Sequence, residues 1–253
     1  MPRRSKAPGR YPDDVRILHV THDLGRGGAA IAAYRIFDAM RSQPGIDAHL
    51  ITTTPLPRSI VDPRITSFSP RNRWRNSQAE QWALRVQKSI NPAHRTLGLF
   101  DSGLADRVLA GNWDLIHLHW VGLGTLSVQE IGRIASEVPT IWTLHDSWPF
   151  CGAEHHPHFD GDDRFKQGYT KESRLAGDAR IDVDAWTFTQ KRRHWNLPIG
   201  LVAPTSFMAR NASGALLTRD WPITTIPHPI DSNVFTELDQ SSRTRTLAPH
   251  AID

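Results

Sequence analysis

The sequence predicts an α/β protein with a doubly wound parallel sheet, a Rossmann-like arrangement, on three observations. Short apolar runs recur along the chain, helical segments separate them, and a glycine-rich turn follows the first run. Continuous apolar runs are typical of strands buried on both faces, and their alternation with helices implies parallel strands joined by right-handed crossovers. The 253 residues, 39% of them hydrophobic, are enough for one large domain or two small ones.

Seven apolar runs are predicted as strands. In chain order they are Ile17–Val20, Ala48–Thr53, Ile65–Phe68, Leu115–Trp120, Thr140–Leu144, Leu201–Ala203 and Thr224–Ile226. The intervening segments carry apolar residues three and four positions apart, which predicts helices. These helices are Ala29–Arg41, Gln78–Ser89, Leu104–Ala110, Ser127–Ser136, Ala185–Trp195 and Ser206–Leu217. Ser206 is the predicted N-cap of the last helix. Residues 147–184 have little periodicity and are predicted as a long loop that is either functional or mobile.

The glycine-rich turn after the first strand reads Gly25-Arg-Gly27-Gly28 and leads into a helix of small residues. Glycine lets the backbone approach a ligand closely, and the start of a helix attracts anions, so this arrangement suits a phosphate. The turn lacks the third glycine of the dinucleotide-binding fingerprint, which argues against an oxidoreductase or epimerase. On the turn alone, a phosphate site and a tight turn without a ligand remain equal alternatives.

Polar side chains follow four of the predicted strands at their carboxyl ends, where open α/β sheets bind ligands. They are His22 and Asp23 after the first strand, His117 and His119 in the fourth, His145 and Asp146 after the fifth, and Ser206 after the sixth. A single histidine at such a place is more often structural. Several histidines on one edge favour a binding site.

The loop after residue 153 is dense in histidine and aspartate. The cluster comprises His155, His156, His158, Asp160, Asp162 and Asp163. These side chains suit zinc or manganese, but their spacing matches no metal-binding motif, so a solvated polar loop is favoured and no metal is predicted. Cys151 is the single cysteine, which excludes an intrachain disulfide and a multi-cysteine zinc site. We expect it to be a buried packing thiol.

The formal net charge of +4 is modest and comes partly from residues 1–14, which are predicted to be disordered. The charge suits anionic ligands or an anionic membrane surface, and nucleic acid is not a predicted partner because no basic stripe is interleaved with aromatic residues. No apolar run is long enough to span a bilayer, and the basic N-terminus lacks the apolar core of a signal peptide. A cytoplasmic protein is expected, and peripheral contact with the inner membrane stays open.

Several segments, taken in order, resemble bacterial family 4 glycosyltransferases, in particular enzymes of capsule, exopolysaccharide and lipopolysaccharide assembly. The segments that carry the resemblance are Gly27-Gly28-Ala29, Asp114–Trp120, Thr140–Phe150, Val202–Met208 and Ile226–Phe235. The resemblance implies a GT-B fold, in which two Rossmann-like domains face each other across a cleft. It implies that the N-terminal domain mainly holds the acceptor and the C-terminal domain the nucleotide-sugar. Retaining transfer without a cofactor or metal is also implied.

The resemblance implies roles for particular residues. His145, near the transferred sugar, and Asp146 are the candidate catalytic residues. Gly27 and Gly28 would approach the donor diphosphate. The candidate donor- and acceptor-binding residues are Gly27, Gly28, His119, Trp148 and Ser206. Trp148 is a packing residue that could also stack against a sugar ring.

The expected organisation is a disordered segment (1–14), an acceptor-side domain (15–235), and a linker or the start of a donor-binding domain (236–253). The expected activity is transfer of a sugar from a nucleotide-sugar to a glycan or lipid-linked acceptor. The chain is expected to be inactive alone, because the donor-binding C-terminal half would have to come from elsewhere or from a partner chain. The alternative is a non-catalytic glycan- or partner-binding module, whose binding would be saturable and independent of a second half.

Overall fold

The computed structural model describes residues 14–157, 163–230, 235 and 237. Most of the predicted N-terminal disordered segment and of the predicted C-terminal linker lies outside the described residues. The same is true of His158, Asp160 and Asp162 from the predicted polar cluster.

The strands of the described residues confirm the predicted fold class. In chain order they are β1 (Val15–Thr21), β2 (Ile46–Thr52), β3 (Ile65–Ser67), β4 (Gln87–Lys88), β5 (Leu115–Leu118), β6 (Thr140–Thr143), β7 (Ala179–Arg180), β8 (Gly200–Ala203) and β9 (Ile223–Thr225). Seven of them form one parallel sheet in the order β3-β2-β1-β5-β6-β8-β9, and β4 pairs with β7 in a separate antiparallel ribbon. All seven predicted strands are present in the sheet, with ends within two residues of the prediction.

The six predicted helices are also present, with one short addition. The helices are α1 (Gly28–Arg41), α2 (Arg73–Val86), α3 (Leu104–Leu109), α4 (Val128–Glu137), α5 (Arg164–Gln167), α6 (Val183–His194) and α7 (Ser206–Gly214). The prediction of Ser206 as an N-cap is wrong, because Thr205 occupies that position and its hydroxyl accepts the N–H of Met208 at 3.2 Å. Ser206 is the first helical residue.

The alternation of side chains along β1 and β5 assigns residues to the two faces of the sheet. Leu18 and Ile116 belong to the main apolar core, which includes residues of α3 and α4. Their neighbours His19 and His117 pair in register on adjacent strands and point to the opposite face. There the ring of Phe37 from α1 meets the ring of His19 edge-on at 5.7 Å. Buried histidines therefore lie on the α1 side of the sheet.

One buried carboxylate joins the starts of α3 and α4. Ser127 caps α4 by accepting the N–H of Glu130 at 3.0 Å, and Glu130 accepts the N–H of Ser127 at 2.9 Å, which completes a capping box. The same carboxylate accepts the N–H groups of Ser102 at 2.9 Å and Gly103 at 2.8 Å. Because several donors satisfy this charge, its burial is compatible with a stable fold.

The first part of the segment predicted as a long loop, residues 147–155, is packed into the core. Lys191 of α6 is fully buried and donates to the carbonyl oxygens of Cys151 at 3.2 Å and Gly152 at 2.7 Å. Its ammonium also lies 3.8 Å from the centre of the Trp148 ring. Cys151 is buried, as predicted. The segment lacks helical periodicity because buried polar contacts hold it, rather than one apolar face.

Candidate functional site

The carboxyl ends of β1, β5, β6 and β8 lie side by side along one edge of the parallel sheet. The order of the strands reverses between β1 and β5, the place where open α/β sheets bind ligands. Gly27 and Gly28 follow β1, His119 follows β5, and His145 follows β6. The structure therefore brings these predicted site residues to one edge.

A cavity of about 770 Å³ lies along α1, and a smaller one, here called the turn cavity, opens at the switch point with a volume of about 330 Å³. The turn cavity is lined by Thr21, His22, Asp23, Arg26, Gly27, Gly28, Ala29, Ala30, Trp120 and Leu123. Gly27 has φ 87° and ψ 161°, a conformation reserved for glycine. Among the residues that the structure describes, no side chain caps α1, and no acidic residue stands in its first turn. With Arg26 alongside, this helix start suits an anion.

Three imidazoles form a hydrogen-bonded chain under this edge, here called the histidine chain. His19 Nδ1 lies 3.0 Å from His119 Nε2, and His119 Nδ1 lies 3.2 Å from His145 Nε2. Ring centres are 5.3 and 5.4 Å apart and the planes differ by 16° and 31°, so the rings meet edge to edge. The ring of His228 lies 5.2 Å from that of His145 at its outer end.

Burial keeps the histidine chain neutral. It lowers the pKa of His19 from 6.5 to about 3. Burial, with repulsion from His228, lowers the pKa of His145 to about 4. Burial also holds the pKa of His119 well below its ordinary value, and the neighbouring histidines add to this effect. Each ring in the chain therefore carries one proton at neutral pH.

A fourth histidine packs beside the chain without joining it. The ring of His117 lies 4.2 Å from that of His119, and its Nε2 is 2.8 Å from the hydroxyl of Thr143. His19, His117 and His119 offer ring nitrogens within 4.8 Å of one another, a group that could hold a metal ion. A metal there would have to break the His19–His119 hydrogen bond and turn the rings, since a ligating imidazole points its nitrogen at the ion. The geometry favours hydrogen bonding.

Asp146 is buried and bonds to its neighbours. Its Oδ2 accepts the indole N–H of Trp120 at 2.6 Å and lies 2.5 Å from His155 Nδ1, while its Oδ1 accepts the N–H of Trp148 at 3.0 Å. Burial raises the pKa of Asp146, but these hydrogen bonds, led by that of His155, outweigh burial and hold the pKa below its usual range. The carboxylate is thus an ionised anchor for Trp120.

His155 does not belong to a solvated loop, so that interpretation is wrong for this residue. The residue is 4% exposed, and its Nδ1 lies 2.5 Å from Asp146 Oδ2 while its Nε2 lies 2.8 Å from the hydroxyl of Thr96. Together with Asp146, it borders a third cavity, of about 320 Å³, here called the aromatic cavity. The aromatic cavity is lined by His94, Trp120, Leu123, Asp146, His155 and His156. Trp120 and Leu123 separate it from the turn cavity.

Two of the other predicted binding residues, Trp148 and His119, are buried, whereas Ser206 is exposed. Trp148 is 2% exposed and its indole N–H donates to the carbonyl of Thr96 at 2.9 Å, so its ring belongs to the core. His119 is 1% exposed and is connected to the edge through His145. Ser206 is exposed at the start of α7, which follows β8.

Three residues of the site were missed by sequence reasoning. His19 sits inside a strand that was predicted only as core, and the register of β1 with β5 is what reveals it beside His117. Arg26 stood in the predicted turn but was given no role. Thr96 lies 59 positions from His155 in an irregular segment, so no local pattern could have pointed to it.

A Rossmann-like sheet with an anion-suited helix start at its switch point defines the class of open α/β domains that bind ligands at the carboxyl ends of their strands. Residues 26–234 match the sequence profile of Glycosyltransferase Family 4. The chain belongs to this family, which indicates glycosyl transfer as its general activity. No curated protein sequence matches the chain significantly. Within the described residues, every helix is too short or too polar to cross a membrane.

Proposed function

We propose that this chain is the acceptor-side domain of a retaining glycosyltransferase that passes a sugar from a nucleotide-sugar to a glycan or lipid-linked acceptor. The observation that carries the proposal is that the Gly27–Gly28 turn and His145 follow strands at the same edge of the sheet in a family 4 domain. The proposed enzyme uses no cofactor or metal. It works in the cytoplasm, with peripheral membrane contact when the acceptor is lipid-linked.

The turn cavity is the proposed place for the donor diphosphate. A leaving nucleoside diphosphate gathers negative charge in the transition state, and preorganised N–H donors stabilise that charge without having to reorient. The uncapped start of α1 supplies such donors, and Arg26 supplies a positive charge at the same wall. Gly27 and Gly28 leave room for the ligand, since a Cβ built at either position meets no atom within 4 Å.

His145 is the proposed contact to the transferred sugar. It is partly exposed at the edge, and its Nδ1 makes no hydrogen bond to any described residue. A neutral ring nitrogen is suited to hydrogen-bond a sugar hydroxyl, because no charged group has to be desolvated when the sugar binds. Asp146 contributes by holding Trp120, which borders both cavities.

The aromatic cavity is the proposed place for the acceptor. It combines an indole wall with polar groups, a composition suited to a sugar that presents both an apolar face and hydroxyl groups. Because Trp120 and Leu123 line both cavities, ligands in the two would be neighbours. Holding two reactants in attacking geometry can contribute several kcal/mol to catalysis.

A second domain is the proposed partner of this edge. Large apolar side chains are exposed on the segments that follow the strands there: Leu123, Phe207, Ile226 and Ile230. Apolar groups gathered on one side of a domain mark a surface that another domain or protein covers. We assign that role to a donor-binding domain, which would complete the nucleotide site.

Transfer in the presence of a donor-binding domain tests the proposal. The chain, mixed with or fused to such a domain, is incubated with a panel of nucleotide-sugars and acceptors, and the anomer of the product is read by NMR. We expect retention of configuration and loss of at least nine-tenths of the rate in His145→Ala. His49→Ala is the matched control, because His49 lies on β2 beside Asp47, away from the edge. If the chain and the donor-binding domain transfer no sugar from any nucleotide-sugar in the panel, and the chain alone binds glycan saturably, the result would instead favour a non-catalytic binding module.

A further inference from the structure

The histidine chain has a direction, which follows from the chemistry of neutral imidazole. A neutral ring has one N–H donor and one bare acceptor nitrogen. Each of the two links, His19 to His119 and His119 to His145, therefore needs a donor on one side and an acceptor on the other. Because His119 has only one ring proton, the nitrogen that carries it donates in one link and the other nitrogen must accept in the other link. Only two arrangements of protons satisfy both links.

The two arrangements differ at the ends of the chain. If protons point outward, Nδ1 of His19 donates to His119, Nδ1 of His119 donates to His145, and His145 keeps its proton on Nδ1. If protons point inward, His145 donates from Nε2, His119 donates from Nε2, and Nε2 of His19 carries a proton. The ring nitrogen that His145 presents to a ligand is a donor in the first case and an acceptor in the second.

The buried end of the chain decides between them. Nε2 of His19 is shielded from solvent and has no hydrogen-bond partner among the described residues. In the outward arrangement this atom is a bare acceptor, whereas in the inward arrangement it is an N–H group without a partner. Buried N–H groups without a hydrogen-bond partner are rarer in proteins than buried acceptors without one. A buried donor left without a partner costs the full desolvation free energy of that group. The outward arrangement is favoured.

We propose that His19 and His119 are positioning residues that hold His145 in the tautomer with its proton on Nδ1, so that His145 donates a hydrogen bond to its ligand. The part that concerns the ligand rests on the function proposed above. The part that concerns the tautomer is a property of the free chain. A donor at this position selects an oxygen with available lone pairs, such as a sugar hydroxyl or a phosphate oxygen, and it excludes His145 from acting as a general base through Nδ1.

Nitrogen NMR of the histidine rings in the full chain tests the tautomer directly. With ¹⁵N-labelled histidine, a protonated ring nitrogen and a bare one resonate far apart, and their couplings to the ring protons identify Nδ1 and Nε2. We expect the protonated resonance of His145 at Nδ1 at pH 7.5, and the same pattern for His119 and His19. A His145 ring protonated at Nε2, or one that averages between tautomers, would overturn the proposal.

Substitutions of His19, at the buried end of the histidine chain, test whether this residue sets the tautomer of His145 or only fills space in the core. His19→Leu removes the donor to His119, so we expect the His145 nitrogens to move toward an averaged pair. His19→Asn restores an N–H donor at the position of Nδ1, so the His145 nitrogen resonances should return most of the way to their values in the parent protein. His117→Leu is the matched control, because His117 is equally buried and touches the ring of His119 but bonds to Thr143 instead. An unchanged His145 pattern in folded His19→Leu, or equal effects of His19→Leu and His117→Leu, would overturn the proposal.

The readouts distinguish failure of this inference from failure of the proposed function. The tautomer of His145 is measured without any substrate, so it stands if no nucleotide-sugar is ever used. Where transfer is measured, His19→Leu should lower kcat at least fivefold and be rescued by His19→Asn, while His117→Leu stays near the parent rate. Transfer that is normal in His19→Leu despite an averaged tautomer would refute the role in catalysis alone.

Discussion

Substitution of the two adjacent glycines at the start of α1 separates folding from ligand binding. Gly28 is the first residue of α1, has an ordinary backbone conformation, and its added Cβ would meet open space. Gly27 also faces open space, but its φ of 87° and ψ of 161° belong to a region that side chains avoid. Both residues line the turn cavity, so alanine at either position adds a methyl group at its wall. Only at Gly27 does it also strain the backbone.

The magnitudes follow from these two conformations. Gly27→Ala should lower the free energy of unfolding by about 1–3 kcal/mol, the range for a residue held in such a conformation. Gly28→Ala should leave stability unchanged or raise it by about 0.5 kcal/mol, because alanine has fewer unfolded conformations to lose. For an anion at the helix start, loss of one backbone N–H contact should cost about 1.5–3 kcal/mol, or about 10- to 150-fold in affinity.

The assay combines thermal unfolding with titration of inorganic pyrophosphate and of a nucleoside diphosphate, followed through the amide resonances of Gly27 and Gly28. We expect Gly28→Ala to melt within about 2 °C of the parent while its affinity falls tenfold or more. Gly45→Ala is the control, because its φ of 77° also strains alanine but the residue lies before β2, outside the turn cavity. Equal affinities of parent and Gly28→Ala would refute the assignment of the diphosphate to this turn.

Three further predictions concern stability. Lowering the pH from 6.5 toward 4 should lower the free energy of unfolding steeply, as measured by chemical unfolding, because His19 and His145 take up protons near pH 6.5 when unfolded but only near 3 and 4 when folded. Each histidine contributes a slope of up to about 1.4 kcal/mol per pH unit. A free energy of unfolding that does not change with pH over that window would contradict a neutral histidine chain. Glu154→Gln should stabilise the protein increasingly as the pH rises above 4.5 in the same assay, because burial, with repulsion from Asp184, raises the pKa of Glu154 and ionisation in the fold is costly; a variant less stable than the parent at pH 8 would contradict this. Glu130→Gln should lower the free energy of unfolding by about 3 kcal/mol, because an amide cannot accept all the N–H groups at the starts of α3 and α4. A loss of less than about 1 kcal/mol, measured by calorimetry, would contradict this prediction.

Most of the sheet could be predicted from the sequence because most of its strands are local apolar runs. The run from Leu115 to Leu118 is buried on both faces, so its composition alone marks it as a strand. The ribbon of β4 and β7 escaped prediction, since each strand has two residues and no periodicity can be read from two residues. The packed segment after β6 escaped for a related reason, because Lys191 and its carbonyl partners hold it through tertiary contacts.

The candidate site was predictable in part. The rule that ligands bind at the carboxyl ends of parallel strands is enough to place Gly27, His119 and His145 on one edge from the sequence alone. The connection between His119 and His145, and its extension to His19, required the register of three strands, which the sequence does not reveal. The contact of His155 with the Asp146 carboxylate, in place of a solvated loop, is likewise a tertiary effect.

The most direct test of the account is a map of where a nucleotide-sugar touches the chain. Isotope-labelled protein, with a donor-binding domain present and unlabelled, is titrated with the nucleotide-sugar that supports transfer. We expect the largest resonance changes on the amides of Gly27 and Gly28 and on the ring of His145. Saturating ligand that leaves these three sites unchanged, while other surfaces respond, would contradict it.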